Sequence, residues 1–143
     1  MHSDPDALTG TTSCSRLLLI EPDEAVAAAL SRGLRRYGWT VNFVHTAMAG
    51  LQLKVEWAPH VVLLALELPD MAVGRLVARL VEQDGCSILV LTGSDEDDLG
   101  RAILAWGAHD VIGKPIRARD LAARILAVQR RLGQLAPVPD LLR

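Results

Sequence analysis

The stretch Pro59-His60-Val61-Val62-Leu63-Leu64-Ala65-Leu66-Glu67-Leu68-Pro69-Asp70-Met71 decides how the rest of the chain is read. Its centre, Val61 to Leu66, is an uninterrupted apolar run rich in Val and Leu. It shows no polar alternation and ends at a Pro-Asp turn, which predicts a short strand buried on both faces. Working outward, Arg16 to Ile20 and Ile88 to Leu91 are runs of the same kind. Val41 and Phe43 alternate with polar residues as a shorter strand does, and Val111-Ile112 marks a fifth.

Between these runs the apolar period changes. Val26, Leu30, Leu34 and Tyr37 recur at helical spacing and stop at Gly38. Ala47, Leu51 and Val55 share a helical face, as do Val73, Leu76, Val77 and Leu80. Asp95 to Trp106 predicts a helix with acids at its start, where the macrodipole favours them, and with Leu99, Ile103 and Trp106 turned inward. Leu121, Ile125, Val128 and Leu132 stripe a last helix. Strand and helix therefore alternate five times. Right-handed crossovers then give a parallel sheet with helices on both faces, an α/β fold.

The composition agrees. A chain of 143 residues is one domain, long enough to bury a core without disulfide or metal. Half of it is hydrophobic but only 3% aromatic, so the core is aliphatic. A net charge of −2 and mean hydropathy of +0.25 exclude a disordered polyelectrolyte and a surface devoted wholly to nucleic acid. No apolar run approaches the length of a membrane span, and residues 1–15 lack the basic and apolar regions of a signal peptide. Cys14 and Cys86 have no metal-ligand spacing, Cys86 reads as a buried thiol, and a reducing, cytoplasmic location is expected. Residues 1–15 read as a disordered leader, 16–132 as the domain, and 133–143, with Pro137 and Pro139, as a linker leading away from it.

In open parallel sheets, chemistry collects beyond the carboxyl ends of the strands. Those ends present Glu21, Pro22 and Asp23, then Ala65 and Glu67, then Thr92, then Lys114. Together with Leu17-Leu18-Leu19-Ile20-Glu21, the Pro59 to Met71 segment, Leu91-Thr92-Gly93, and Gly107-Ala108-His109-Asp110 leading to Lys114-Pro115, this set resembles the receiver domain of bacterial two-component response regulators over Arg16 to Arg131. The resemblance implies a (βα)5 flavodoxin-like fold with strand order 2-1-3-4-5. It also implies a phosphoryl group accepted by an Asp after the third strand, with Mg²⁺ held by acids after the first.

The chain departs from that pattern at its centre. Ala65 stands where the family carries its phosphoacceptor, and Pro22 replaces one of the paired acids beside Glu21. One carboxylate does not make a Mg²⁺ site, so neither metal nor other cofactor is expected. Val111 occupies the place of the switch aromatic, and Ala72 and Val73 show further loss of the pattern. Thr92 and Lys114 survive. A cation at Lys114 needs a carboxylate, with Glu21 and Glu67 as candidates. Glu21, Pro22, Ala65, Glu67, Thr92 and Lys114 thus form a degenerate phosphorylation pocket. Asp23 is expected to cap the first helix, and Asp70 to lie in a loop away from Lys114.

The resemblance is strongest to the winged-helix transcription-factor class. Members of that class dimerise through the face made by helix four, strand five and helix five. Arg101, Asp110, Asp120, Arg124 and Arg131 match charged positions of that face in part, with Arg101 standing in for a base of helix four. The reading that follows is non-enzymatic. It is a phosphorylation-independent signalling and homodimerisation module that regulates transcription, meeting DNA only through an output domain outside this chain. Two alternatives stand beside it: a pocket that takes a small anionic or aromatic metabolite as a feedback ligand, and a phospho-null variant of a conventional phosphotransfer receiver. His45, His60 and His109 are scattered, with His109 near the expected dimer face.

Overall fold

A computed structural model describes residues 15–82, 85–93 and 97–134. The expected leader up to Cys14, the acids at 95 and 96, and the expected linker beyond Gln134 lie outside the described residues. The elements alternate strictly: β1 (Arg16–Ile20), α1 (Glu24–Arg36), β2 (Thr40–Val44), α2 (Ala47–Trp57), β3 (Val61–Ala65), α3 (Val73–Val81), β4 (Ser87–Thr92), α4 (Asp97–Ala105), β5 (Asp110–Gly113) and α5 (Ala118–Arg131). All neighbouring strands pair parallel, in the order β2-β1-β3-β4-β5. This is the flavodoxin-like arrangement expected of the sequence.

β3 lies at the centre of the sheet, with Leu17 to Ile20 of β1 on one side and Ser87 to Leu91 of β4 on the other. All five of its residues are buried. Alternate side chains feed two separate cores. Val61 and Leu63 join Leu17, Leu19 and Leu89 beneath α1 and α5. Val62 and Leu64 join Leu18, Ile20, Ile88 and Val90 beneath α2, α3 and Ile103 of α4. Apolar surface on both sides of one sheet is what an unbroken aliphatic strand encodes.

The helices depart from their expected faces at particular points. α1 buries Ala27, Ser31 and Leu34, while Tyr37, past its end, is 52% exposed. At Gly33 the helix comes close to α5: a Cβ there would lie 2.6 Å from the Cβ of Ala118, too near for any side chain without a shift. α2 buries Ala47, Gly50 and Lys54 and leaves Val55 68% exposed, because Gly50 rests against Ile20. Trp106 follows α4 rather than ending its inner face. It is 42% exposed, with its ring lying over Gly74 of α3. Leu132 likewise emerges past α5 at 41% exposure. α3 buries all four predicted residues, and Cys86 is buried.

Candidate functional site

β1 and β3 end side by side at the centre of the sheet, and the loops after them open a cleft. Glu21, Pro22, Ala65, Leu66, Glu67, Leu91, Gly93 and Lys114 line it, around a space of about 450 Å³. Five of the six expected pocket residues are therefore brought together. Thr92 is buried at the end of β4, between two lining residues, and its carbonyl accepts the Lys114 N–H at 2.7 Å.

Glu21 is the most constrained of the set. The residue is 3% exposed. Its own N–H donates to the Val44 carbonyl at 3.0 Å, and its carbonyl lies 2.8 Å from His45 Nδ1. One carboxylate oxygen receives Lys114 Nζ at 3.1 Å and the other receives the Asp23 N–H at 2.9 Å. The choice between Glu21 and Glu67 as the partner of Lys114 falls to Glu21; Glu67 stays exposed at the rim of the cleft. A buried carboxylate with a cation on one oxygen and a peptide N–H on the other is compensated for its desolvation.

Ala65 contributes only a methyl group, 5% exposed, to the floor of the cleft. Asp23 is committed elsewhere, since its carboxylate accepts the Val26 N–H at 3.0 Å and caps α1. Asp70 is committed too. Its two oxygens accept the N–H groups of Ala47 and Met48 at 2.8 and 2.9 Å, closing the start of α2 with Thr46, whose hydroxyl accepts from Ala49. Those backbone donors hold the Asp70 carboxyl below its ordinary pKa. Sequence reading places Asp70 in a loop but misses this role, because the donors lie 22 and 23 residues away.

The donor set does not fit the Mg²⁺ that the fold family implies. Both Glu21 oxygens already have donors, Pro22 and Ala65 offer no side-chain ligand, and the described residues contain no group of three or more His, Cys, Asp or Glu side chains suited to a metal. What the cleft offers is one cation held by one carboxylate, between aliphatic walls.

The charged residues expected at a dimer face sit on α4, β5 and α5. Arg124 makes a two-pronged contact with Asp110 within the chain, at 2.8 and 2.9 Å, which raises the Arg124 pKa. Arg101 lies 3.4 Å from Asp98 with both side chains largely exposed. Arg131 donates to the His109 carbonyl at 2.8 Å, and Asp120 is exposed. The three scattered histidines share one use that the sequence does not reveal, a contact from Nδ1 to the backbone. His60 accepts from Arg16 N and His109 from Ile88 N, while His45 meets the Glu21 carbonyl. Burial, and secondarily Arg131, lower the His109 pKa.

Comparison with known proteins agrees with the fold. A family model described as the response regulator receiver domain matches residues 17–126. The transcriptional regulatory protein AfsQ1 of Streptomyces coelicolor is 36% identical over 115 residues, covering 80% of this chain and 51% of that protein. The cell cycle transcriptional regulator CtrA of Caulobacter vibrioides is 35% identical over 117 residues, covering 81% and 51%. The chain thus spans about half the length of the curated relatives it matches. Among solved structures, a CheY-like response regulator receiver domain protein from Methanospirillum hungatei superposes with a TM-score of 0.77 at 25% identity, over 85% of this chain and 99% of that one.

Proposed function

The chain belongs to the response regulator receiver domain family, and from that premise we propose that it is an atypical member, working without phosphorylation and without catalysis of its own. The observation that carries this reading is Ala65 on the floor of the cleft, with Lys114 tied to Glu21 where the family's phosphoacceptor and its metal would be. A methyl group accepts no phosphoryl group, and an internal ion pair occupies the cation that would otherwise await one.

Signalling then rests on a standing conformation. We assign the output to a homodimer through α4, β5 and α5, with Arg101, Asp110, Asp120, Arg124 and Arg131 as its charged members. Gene regulation would follow through a DNA-binding region outside this chain, in the cytoplasm. The relatives named as transcriptional regulators, about twice as long as this chain, support that role. The described residues contain no helix long and apolar enough to cross a membrane.

The test is incubation with acetyl phosphate and Mg²⁺, followed by phosphate-affinity electrophoresis and sedimentation. No acid-labile phosphoprotein is expected, and the dimer should be present with or without the donor. Appearance of a phosphoprotein, or a dimer that forms only with the donor, would sink the reading.

A second reading is favoured by the cleft's size. About 450 Å³ between Pro22, Ala65, Leu66 and Leu91, with Lys114 at its edge, lies within the usual range of small-molecule sites. A metabolite library should then raise the melting temperature of the wild-type chain and fail to raise that of an Ala65→Phe variant. The third, a conventional receiver disabled at one residue, predicts that Ala65→Asp alone restores phosphorylation. Persistent inertness of that variant would exclude it.

A further inference from the structure

The charge of this molecule is distributed unevenly. α1 with its cap Asp23 carries three arginines and two acids, and α5 with its cap Arg117 carries five arginines and one acid. These two helices hold a formal +5 in a chain whose total is −2. They also cover the same face of the sheet, packing over the core that contains Leu34, Leu121 and Ile125.

Their point of closest approach is Gly33 against Ala118. Four arginines bracket it: Arg32 and Arg36, on one face of α1 at i and i+4, and Arg117 and Arg119 on either side of Ala118. All four are exposed, and among the described residues none of them makes an ion pair. The acids of the same two helices are Asp23 and Glu24, at the far end of α1, and Asp120 beside Arg119. Glu24 is eight residues from Arg32, about 12 Å along a helix axis. The other cations of α5 are differently placed or engaged: Arg124 with Asp110, Arg131 with the His109 carbonyl, and Arg130 near the C-terminus of the helix.

We infer that the α1–α5 face is a contact surface for the phosphate backbone of double-stranded DNA, made by the receiver itself and in addition to any DNA-binding region attached to it. Guanidinium groups on a rigid pair of helices suit phosphate oxygens, and the contact requires no reading of bases. The absence of stacking aromatics on α5 counts against single strands but not against a duplex, whose bases are already stacked. The choice of DNA over another polyanion rests on the transcriptional reading above. The surface itself rests on the arginines alone.

The test uses this chain, without any attached region, and a labelled 20-base-pair duplex of arbitrary sequence, followed by fluorescence anisotropy between about 25 and 200 mM salt. Neutralisation of about four phosphates predicts a slope of log K against log salt of roughly −3 to −4. The double variants Arg32→Glu/Arg36→Glu and Arg117→Glu/Arg119→Glu should each weaken binding at least about tenfold at low salt. Arg75→Glu/Arg79→Glu on α3 makes the same charge change on exposed residues of the opposite layer and should weaken it much less. Where a charge reversal prevents folding, judged by melting, the matching Gln variants and the wild-type salt slope carry the test. Absence of salt-dependent binding, equal loss in the α3 control, or equal affinity for poly-glutamate would overturn the inference. Because no output domain is involved, that failure leaves transcriptional control through an attached region standing, and the phosphodonor experiment, which uses no DNA, tests the phosphorylation-independent reading separately.

Discussion

Lys114 pairs with Glu21, one of the two carboxylates that its position at the strand ends makes available. Glu21 has a side chain 4% exposed, whereas Lys114 keeps 36% of its side chain in solvent. Removing the cation leaves a buried carboxylate held by one peptide N–H. Lys114→Met should therefore destabilise the fold by about 2–3 kcal/mol, below the value for a fully buried pair because Lys114 is partly hydrated. That corresponds to a fall in Tm of roughly 6–10 °C. Adding Glu21→Gln should recover part of the loss, and a double variant no more stable than the single one would refute the coupling. Asp70 offers a second check. Its carboxyl is held below 3.8 by the Met48 and Ala47 N–H groups, so its contribution is complete above that value and disappears as pH falls through the lower folded value. Asp70→Ala should lower Tm at pH 7 and flatten the acid limb of the stability profile, while a variant with an unchanged acid limb would remove Asp70 from the account.

At the scale of elements, the α1–α5 contact and the end of α5 make separate predictions. Gly33→Val places a Cβ where Ala118 already stands and should cost about 1–3 kcal/mol by overpacking. Ala118→Gly should rescue it, and additive losses in the double variant would show that the two helices do not meet there. His109 joins β4 to the end of α5, accepting from Ile88 N through Nδ1 while its carbonyl receives Arg131. Burial, then Arg131, lower its pKa from 6.5, so protonation is disfavoured in the folded state. The stability it contributes is complete above about pH 6.5 and falls as pH drops through the lower folded value. Urea midpoints at pH 7.5 and 5.0 should differ more for the wild type than for His109→Gln, and equal differences would acquit His109. Strand positions were legible in the sequence because short runs rich in Val, Leu and Ile, bounded by turn residues, suit a buried parallel strand. Helix faces were less so: Val55 and Lys54 are neighbours, and burial of the lysine rather than the valine goes with Gly50 meeting Ile20, a contact between helix and sheet.

For the whole molecule, one sheet serves two cores, and the strands belong to both. Trp39 reports on the layer under α1 and α5, whereas Trp57 packs against the opposite layer. Single-tryptophan variants should melt at the same midpoint in either position, and separated midpoints would show that the layers unfold independently. The alternation of strand and helix, the parallel (βα)5 architecture and the presence of a methyl group rather than a carboxylate at position 65 were all set by the sequence alone, since period, length and residue type act locally. The partner of Lys114, the capping of α2 by Asp70, the common backbone role of the three histidines and the gathering of arginines at the α1–α5 crossing were decided only by tertiary structure. Each of these joins groups far apart in the chain, 93 residues in the case of Lys114 and Glu21. Hydrogen bonds and charges act over a few ångströms, so their meaning depends on which segments folding brings together.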